Sequence, residues 1–407
     1  IYNEAIWIMN DLRSDITFWN AGGLAAAIVR YDDFEETTID YVGSGAWIDH
    51  YKGIARANTI IGRIKDIEFT DASKKARIIG EAKFLRSLLY YNLTTTFGNV
   101  PLVLTEATSA DDTTQNVQVP VTQIYTQIIA DLIEAESSLN VTDKGGRATK
   151  GAAAALLGKV YLTNSENSKA VTALKRVSGY SLVDNYADLW GVENEFNKES
   201  IFEVSFESGY GVLGNSFTSA FNTELGATVT SGPRNFPTPS LLRSYEDGDT
   251  RKNASIAGIG VDVAGGFSAD GSGWCIKYGT TNPSTDNDGP NNWVVLRYAD
   301  VLLMLAEAIG ESNESYGYIN EVRTRAGLGP IDATTSGTFN EKLLAERKVE
   351  LAFEGHRWPD LKRFGVTVAE MSSGAVTETI NIRGRLNIAI PQREMDLNPD
   401  FVQNSGY

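Results

Sequence analysis

The sequence is poor in the residues that usually carry redox and metal chemistry: it has one cysteine, Cys275, and two histidines, His50 and His356, in 407 residues. A single thiol excludes an internal disulfide and a metal site built from several thiolates. Neither histidine lies in a nucleophile motif, so the sequence gives no support for a serine–histidine–aspartate hydrolase. It also contains no run of about 18 apolar residues, and we therefore predict no membrane-spanning helix.

Basic residues are outnumbered, because 52 Asp and Glu stand against 36 Lys and Arg and give a net charge of −16. This negative field repels phosphate backbones, so we expect no nucleic-acid partner. A hydrophobic content of 42% with 22% charged residues is typical of a globular protein with a sizeable core. The first residues, IYNEAIWIMNDLRSDI, already have an amphipathic helical pattern without a signal-like segment. We therefore expect that a preceding segment with the targeting information was removed.

Helical periodicity dominates residues 1–179. In AWIDHYKGIARANTIIGRIKDI, apolar residues recur every three or four positions, which predicts one buried stripe on a helix. The next helix should begin after Asp71, a residue type that caps helix N-termini, and a third should follow Pro120. TKGAAAALLGKVYLTNSENSKAVTALKRVSGY then predicts two antiparallel helices whose small residues allow close approach. This pairing is typical of a tetratricopeptide hairpin.

The composition changes between residues 180 and 292. Gly, Ser, Thr and Asn become frequent and helical periodicity disappears, although ESIFEVSF alternates enough to predict a short strand. Helices return with NWVVLRYADVLLMLAEAIG, and residues 293–407 contain a second predicted hairpin. We therefore predict a mainly α fold in a single domain, residues 1–407, in which helical hairpins scaffold a loop-rich insert. An irregular stretch of this length usually carries function, so we expect the insert to face a ligand.

The stretch LLAERKVELAFEGHRWPDLKRFG places Glu346, Glu350 and Glu354 four residues apart on one predicted helix face. Like charges at this spacing repel and need nearby cations. We therefore predict a structural scaffold of glutamate–arginine pairs that docks the last helices, with these members: Arg297, Arg323, Glu350, Glu354, Arg357 and Trp358. The alternative makes Glu350 and Glu354 an acid–base pair with His356, as in a glycoside hydrolase. Arginines lower the pKa of a carboxyl and oppose a general acid, which favours the scaffold.

Several segments together resemble the SusD/RagB family. LRYADVLLMLAEA, INEVRTRAGL, ERKVELAFEGHRWPDLKRFG and IPQREMDLNPDF are similar to the family's C-terminal hallmarks. YKGIARANTIIGRI, GEAKFLRSLLYYNLTTTFGNVPLV and PSLLRSYEDGDTRKN are similar to its N-terminal and middle blocks, in the family's order. The resemblance covers about residues 40–403, with two departures: Gly317, where the family more often has alanine, and the start, because the family's secretion signal and lipid-bearing cysteine are not in this chain.

This resemblance implies a cell-surface lipoprotein of the outer membrane, held by an N-terminal lipid anchor that lies outside this chain. Its fold would be a SusD-like α–α superhelix in which tetratricopeptide-like hairpins carry a loop-rich face. The family's proteins form lids on a SusC-like TonB-dependent transporter and deliver oligosaccharides, or in some branches peptides, without catalysis. The rival readings are an intracellular helical-repeat adaptor, which would not need the insert, and a glycoside hydrolase.

A sugar ring offers an apolar C–H face and a rim of hydroxyls, so its site should combine an exposed aromatic ring with polar groups on loops. We predict ligand-binding residues at these positions: Trp19, Asn20, Asp270, Trp274, Tyr278, Asn291, Asn292 and Trp293. The alternative for each aromatic is a core residue that anchors a loop, and Trp293 in particular opens a buried helix. We predict no cofactor. The run DNDG, with Asp286 and Asp288, resembles part of a calcium loop, but the acidic residue expected after it is absent.

Overall fold

The computed structural model describes residues 1–19, 26–109, 117–142, 145–209, 213–221, 234–260, 273–279, 285–372 and 382–407. The chain divides into two units. Unit 1 contains residues 1, 36–179 and 383–407, and unit 2 contains residues 2–35 and 180–382. Most regular structure in each unit is helical, which confirms the predicted fold class. The loop-rich insert shares unit 2 with the helices that follow it, and the single domain stays a prediction.

Unit 1 is built from helices that pack against their neighbours in the chain. The helices are Tyr41–Arg63, Ala72–Phe97, Val121–Ser138, Lys150–Thr163, Asn167–Leu174 and Gln392–Leu397, with a 3-10 turn at Ile64–Asp66. Two short strands, Val100–Pro101 and Gln118–Val119, pair antiparallel.

Local chemistry determines where the unit 1 helices begin and how closely they pack. The Asp71 carboxylate accepts hydrogen bonds from the backbone N–H groups of Ser73 at 2.9 Å and Lys74 at 3.3 Å. It therefore caps its helix as predicted. Gly158 lies where a Cβ would overlap the Leu174 side chain. The helices that carry these two residues approach closely only because glycine is present, and they form the predicted hairpin.

Unit 2 contains shorter helices and three strand pairs. The helices are Ala5–Trp7, Ala26–Asp32, Phe217–Phe221, Pro239–Ser244, Thr250–Ser255, Tyr298–Ile309, Asn313–Arg325, Phe339–Glu350, Arg357–Phe364 and Thr367–Ser372. A π-helical turn at Ile8–Leu12 and 3-10 turns at Tyr186–Leu189 and Val192–Asn194 complete the helical elements of its described residues. The antiparallel strand pairs are Thr17–Phe18 with Phe236–Pro237, Ser200–Val204 with Trp293–Arg297, and Ile256–Ala257 with Trp274–Cys275.

The segment Trp293–Arg297 is a strand, although its sequence predicted the start of a helix. It pairs with Ser200–Val204, the strand that ESIFEVSF predicted correctly. Val294 and Val295 are β-branched and favour an extended backbone, and the helix begins only at Tyr298. An apolar run without clear periodicity is compatible with both a helix and a strand, and here pairing with a partner strand selects the strand.

The N-terminal segment is also less regular than its pattern predicted. Only Ala5–Trp7 is α-helical, and the wider turn Ile8–Leu12 follows it. Trp7, Ile8 and Leu12 are all buried. The segment is therefore part of the core of unit 2 and not an amphipathic surface helix.

A buried lattice of ion pairs surrounds Glu350 and Glu354. Arg297 donates to both carboxylates, to Glu350 Oε1 at 2.5 Å and to Glu354 Oε2 at 2.7 Å. Arg325 also donates to Glu350, and Arg251 does so at 2.9 Å. Burial alone would raise the pKa of Glu350, but Arg325, Arg297 and Arg251 outweigh it and hold that pKa well below its usual range.

Glu354 lies beyond the end of the helix that carries Glu350, and so the two do not share a helix face as predicted. The helix stops at Glu350, and Gly355 follows the turn with a φ of 75°. Lys277 Nζ donates to Glu354 at 2.8 Å. Burial raises the pKa of Glu354, but Arg297 and Lys277 together hold it below its usual range. Both carboxyls are therefore ionised near neutral pH, whereas a glycoside hydrolase needs one protonated carboxyl.

The other predicted scaffold residues are buried and paired as well. Arg323 donates to two glutamates, and Arg357 Nε donates to Asp15 at 2.6 Å. Trp358 packs against Phe34, with ring centroids 5.3 Å apart. The contacts of Arg357 with Asp15 and of Trp358 with Phe34 connect the last helices of unit 2 to its N-terminal segment.

Glu350→Ala should lower the free energy of unfolding by about 3–5 kcal/mol, because three buried arginines lose a shared counter-charge. Urea unfolding followed by tryptophan fluorescence measures this loss. Glu106→Ala is the control, since its partner Arg63 is largely exposed and such pairs contribute little. Equal losses in the two variants would contradict a structural role for the lattice.

Candidate functional site

Tyr278 and Trp293 stack on each other inside unit 2, with ring centroids 5.4 Å apart and an interplanar angle of 13°. Phe217 and Phe221 contact both rings edge-on. The exposed fractions of Tyr278 and Trp293 are 4% and 1%. The Tyr278 hydroxyl is also engaged, because it donates to the Phe353 carbonyl at 3.0 Å. Neither ring offers a face to a sugar, which corrects our prediction for this pair: both are core residues that anchor loops.

Trp274 is enclosed in a similar way. It lies in the strand Trp274–Cys275, and 9% of its surface is exposed. The ring covers Gly258, where any Cβ would overlap it. Trp274 is therefore not the exposed stacking ring that we predicted. Its proposed polar partner, Asp270, lies outside the described residues.

Asn291 and Asn292 hold segments of unit 2 together and do not point polar groups outward. Asn292 Oδ1 accepts from the Phe206 N–H at 2.9 Å, and its Nδ2 donates to Glu203 at 2.8 Å. Its backbone N–H donates to Glu195 at 2.8 Å. The Asn291 carbonyl accepts from an asparagine amide at 2.8 Å. Because both side chains are buried and their polar groups are bonded within the chain, our prediction of ligand contacts is corrected: both residues hold loops in place.

The aspartates of the DNDG run do not form a metal site with other described residues. Asp288 is buried, and its Oδ1 accepts from the Gly209 N–H at 2.8 Å. Among the residues that the structure describes, no group of three or more His, Cys, Asp and Glu side chains could hold a metal ion. Asp286 and Asp288 therefore carry no further argument for calcium.

Trp19 is the candidate that lies beside groups suited to binding. It follows the strand Thr17–Phe18, which pairs with Phe236–Pro237, and the register extended by one residue places Trp19 opposite Asn235. The Arg234 guanidinium carbon lies 5.8 Å from the Trp19 ring centroid. The indole is 6% exposed, so it positions Arg234 rather than offering a stacking plate of its own. Asn20 lies outside the described residues.

Two side chains next to Trp19 and Arg234 have hydrogen-bonding capacity that no described residue takes up. Both amide atoms of Asn235 and the hydroxyl of Ser219 are buried without a hydrogen-bond partner in the described chain. The Arg234 N–H donates to the Ala220 carbonyl at 2.6 Å, which brings the two segments together. A buried polar group without a partner costs about 1–3 kcal/mol, so these groups fit a polar ligand. We call Trp19, Ser219, Arg234 and Asn235 the Trp19 site.

Sequence reasoning identified only one of the four members of the Trp19 site. Arg234 and Asn235 reach Trp19 through an antiparallel register that joins distant parts of the chain, and Ser219 is linked to them only through the hydrogen bond from the Arg234 N–H to the carbonyl of its neighbour Ala220. No local spacing signals such a pairing. The Arg–Asn pair just before a short strand was the only available cue.

Unit 1 has a separate concavity of about 370 Å³. Its lining is mainly apolar and includes Trp47, Tyr51, Val103 and Phe401. The Tyr51 hydroxyl donates to the Pro101 carbonyl at 2.8 Å, so the ring is fixed in place. Trp47 is buried, as its helical stripe predicted. The lining also includes the polar side chains of Lys52, Thr105, Glu394 and Asn398.

A helical frame with a loop-rich part defines the SusD-like class, and comparison with known proteins gives the same result. Residues 9–162 match the family described as "Starch-binding associating with outer membrane", and residues 264–407 match the SusD family. A SusD-like protein of Bacteroides ovatus is 30% identical over 82% of this chain and 67% of its own length.

Solved structures extend the similarity over the whole chain. A laminarin-binding SusD-like protein shares 31% identity and a TM-score of 0.83 over 99% of this chain and 94% of its own. Surface glycan-binding protein A from Bacteroides fluxus shares 26% identity and a TM-score of 0.82 over 100% of this chain and 94% of its own. This chain belongs to the SusD/RagB family, as its sequence segments predicted. Within its described residues, no helix is both long and apolar enough to span a bilayer.

Trp293→Ala should lower the free energy of unfolding by about 3–5 kcal/mol, because it removes a buried aromatic ring from a packed cluster. Tyr278→Phe removes only the hydroxyl that binds Phe353 and should cost about 1 kcal/mol. Urea unfolding of the two variants and the parent protein tests this order. A stable Trp293→Ala protein that has lost ligand binding would instead make this ring a ligand contact.

Proposed function

We propose that this protein captures oligosaccharides at the cell surface without cleaving them and delivers them to a SusC-like TonB-dependent outer-membrane transporter. The observation that carries the binding proposal is the unused hydrogen-bonding capacity of Asn235 and Ser219 beside an indole-supported arginine. The similarity to a laminarin-binding SusD-like protein over nearly the whole chain supports the same ligand class.

The chemistry of the Trp19 site fits a sugar. Sugar hydroxyls both donate and accept, and the Asn235 amide offers one acceptor and two donor hydrogens. The Arg234 guanidinium supplies further donors, and the contact with the Trp19 ring limits its orientation. Arg234 is only partly buried, whereas Asn235 directly after it is fully buried.

Glu350 and Glu354, the two candidates for an acid–base pair, are instead bound by arginine and lysine side chains. This arrangement supports the proposed absence of catalysis. Glu350 and Glu354 are buried against arginine and lysine side chains, and their pKa values lie below the usual range. Neither can donate a proton to a glycosidic oxygen near neutral pH.

Asn235→Ala should reduce affinity for laminari-oligosaccharides by about fivefold to 150-fold, because a bound hydroxyl loses its amide partner. It should leave the melting temperature unchanged or higher, since the Asn235 amide bonds no described residue. Calorimetric titration and thermal unfolding measure the two effects.

Asn215→Ala is the matched control for this experiment. Asn215 is equally buried, but its Nδ2 donates to the Asn291 carbonyl at 2.8 Å and its Oδ1 accepts from the Thr218 N–H at 2.9 Å. This variant should therefore lose stability. Unchanged glycan affinity in Asn235→Ala would remove the site. Binding of peptides but of no glycan would favour the peptide branch, and new reducing ends would identify an enzyme.

Affinity purification of the lipidated protein from membranes of its native host should recover a TonB-dependent β-barrel in a fixed ratio. Membership of the SusD/RagB family supports this expectation. Quantitative mass spectrometry of the purified material gives the ratio. Recovery of the protein alone, under detergent conditions that preserve other membrane complexes, would contradict delivery to such a transporter.

A further inference from the structure

Asn292 donates hydrogen bonds to two carboxylates, those of Glu195 and Glu203, and neither is paired with a described cation. Its backbone N–H donates to Glu195 at 2.8 Å, and its side-chain Nδ2 donates to Glu203 at 2.8 Å. Glu203 is buried and also accepts from the Phe196 N–H at 2.9 Å. Among the described residues, neither carboxylate has a lysine or arginine within ion-pairing distance: the nearby Lys198 pairs with Asp184, and Arg297 and Arg325 pair with Glu199. We call Glu195, Glu203 and Asn292 the Asn292 clamp.

The clamp joins three parts of the loop-rich region. Glu195 follows the 3-10 turn Val192–Asn194, and Glu203 lies in the strand Ser200–Val204 at an irregularity of the strand register. Asn292 precedes the opposite strand and accepts the Phe206 N–H through its Oδ1. Opening the clamp would therefore free the 3-10 turn and the segment after Val204 at the same time.

We propose that the Asn292 clamp is a pH-responsive latch, closed when Glu195 is protonated and weakened when Glu195 is ionised. A second negative charge beside a buried glutamate repels it, and here no cation compensates. The charged groups that act on Glu195 are Glu193 from its own turn and Glu203 from the strand, while the third element presents only the neutral Asn292.

The pKa of Glu195 supports this assignment. Burial raises the pKa of Glu195 to about 7, and the negative charges of Glu203 and Glu193 act in the same direction. The hydrogen bond from the Asn292 N–H acts to lower this pKa but does not outweigh them. Since this pKa is raised in the closed form, the closed form binds the proton more tightly than an open form with an ordinary carboxyl. The stabilisation is thus fully present at acidic pH, declines as the pH rises from the ordinary value, and is lost above neutral pH.

Hydrogen–deuterium exchange of the whole protein tests the latch and does not depend on glycan binding. Between about pH 6 and about pH 8, protection of peptides containing the Phe196, Phe206 and Asn292 amides should fall about tenfold after correction for intrinsic exchange rates. Peptides of the Glu350 lattice should keep their protection and serve as an internal reference.

Two variants separate the latch from general loosening. Glu195→Gln cannot ionise and should keep the same protection at both pH values. Glu193→Gln removes only an exposed neighbour and should retain most of the pH dependence. Constant protection in the parent protein, or an unchanged fall in Glu195→Gln, would overturn the proposal. A fall that spreads equally to the lattice peptides would overturn it as well, because that result means global destabilisation.

Discussion

A buried carboxylate that lacks counter-charges destabilises the folded state by several kcal/mol. The core of unit 2 holds two buried carboxylates that lie four residues apart, Glu350 and Glu354, and both need cations. Their cations come from separate places in the chain: Arg251 and Lys277 from the loop-rich insert, Arg297 from the strand that follows it, and Arg325 from a later helix. Arg297 contacts both carboxylates, but one positive charge cannot neutralise two negative ones, and the other cations come from different segments. The lattice therefore forms only when these segments converge, and it ties the fold of the irregular region to the fold of the last helices.

The strand Trp293–Arg297 connects the lattice to the aromatic core. At one end, Trp293 stacks on Tyr278 and contacts two phenylalanines. At the other end, Arg297 enters the lattice. Pairing with Ser200–Val204 keeps these ends a fixed distance apart. The loops before Trp293 thus begin from a rigid support, which is what a binding region built on irregular backbone requires.

The sequence predicted those features that have a local physical signal. Asp71 caps a helix because its own carboxylate reaches two nearby N–H groups, and this pattern is visible in the sequence. The close spacing of glutamates around Glu350 predicted that arginines would pair with them, and the structure contains these pairs. The strand at Trp293 and the burial of its ring were not predictable in this way, because both depend on distant partners. Asn235 was not predicted as a ligand-binding residue for the same reason.

In the described loops of unit 2, several polar side chains hold the chain together by binding main-chain groups of other segments. Asn292 binds the N–H of Phe206, Asp288 binds the N–H of Gly209, and Asn215 binds the carbonyl of Asn291. Almost any amino acid can supply such an N–H or carbonyl. Loop residues between the fastening positions can consequently be exchanged during evolution while the backbone stays attached. Relatives could acquire new specificities by this route without rebuilding the frame.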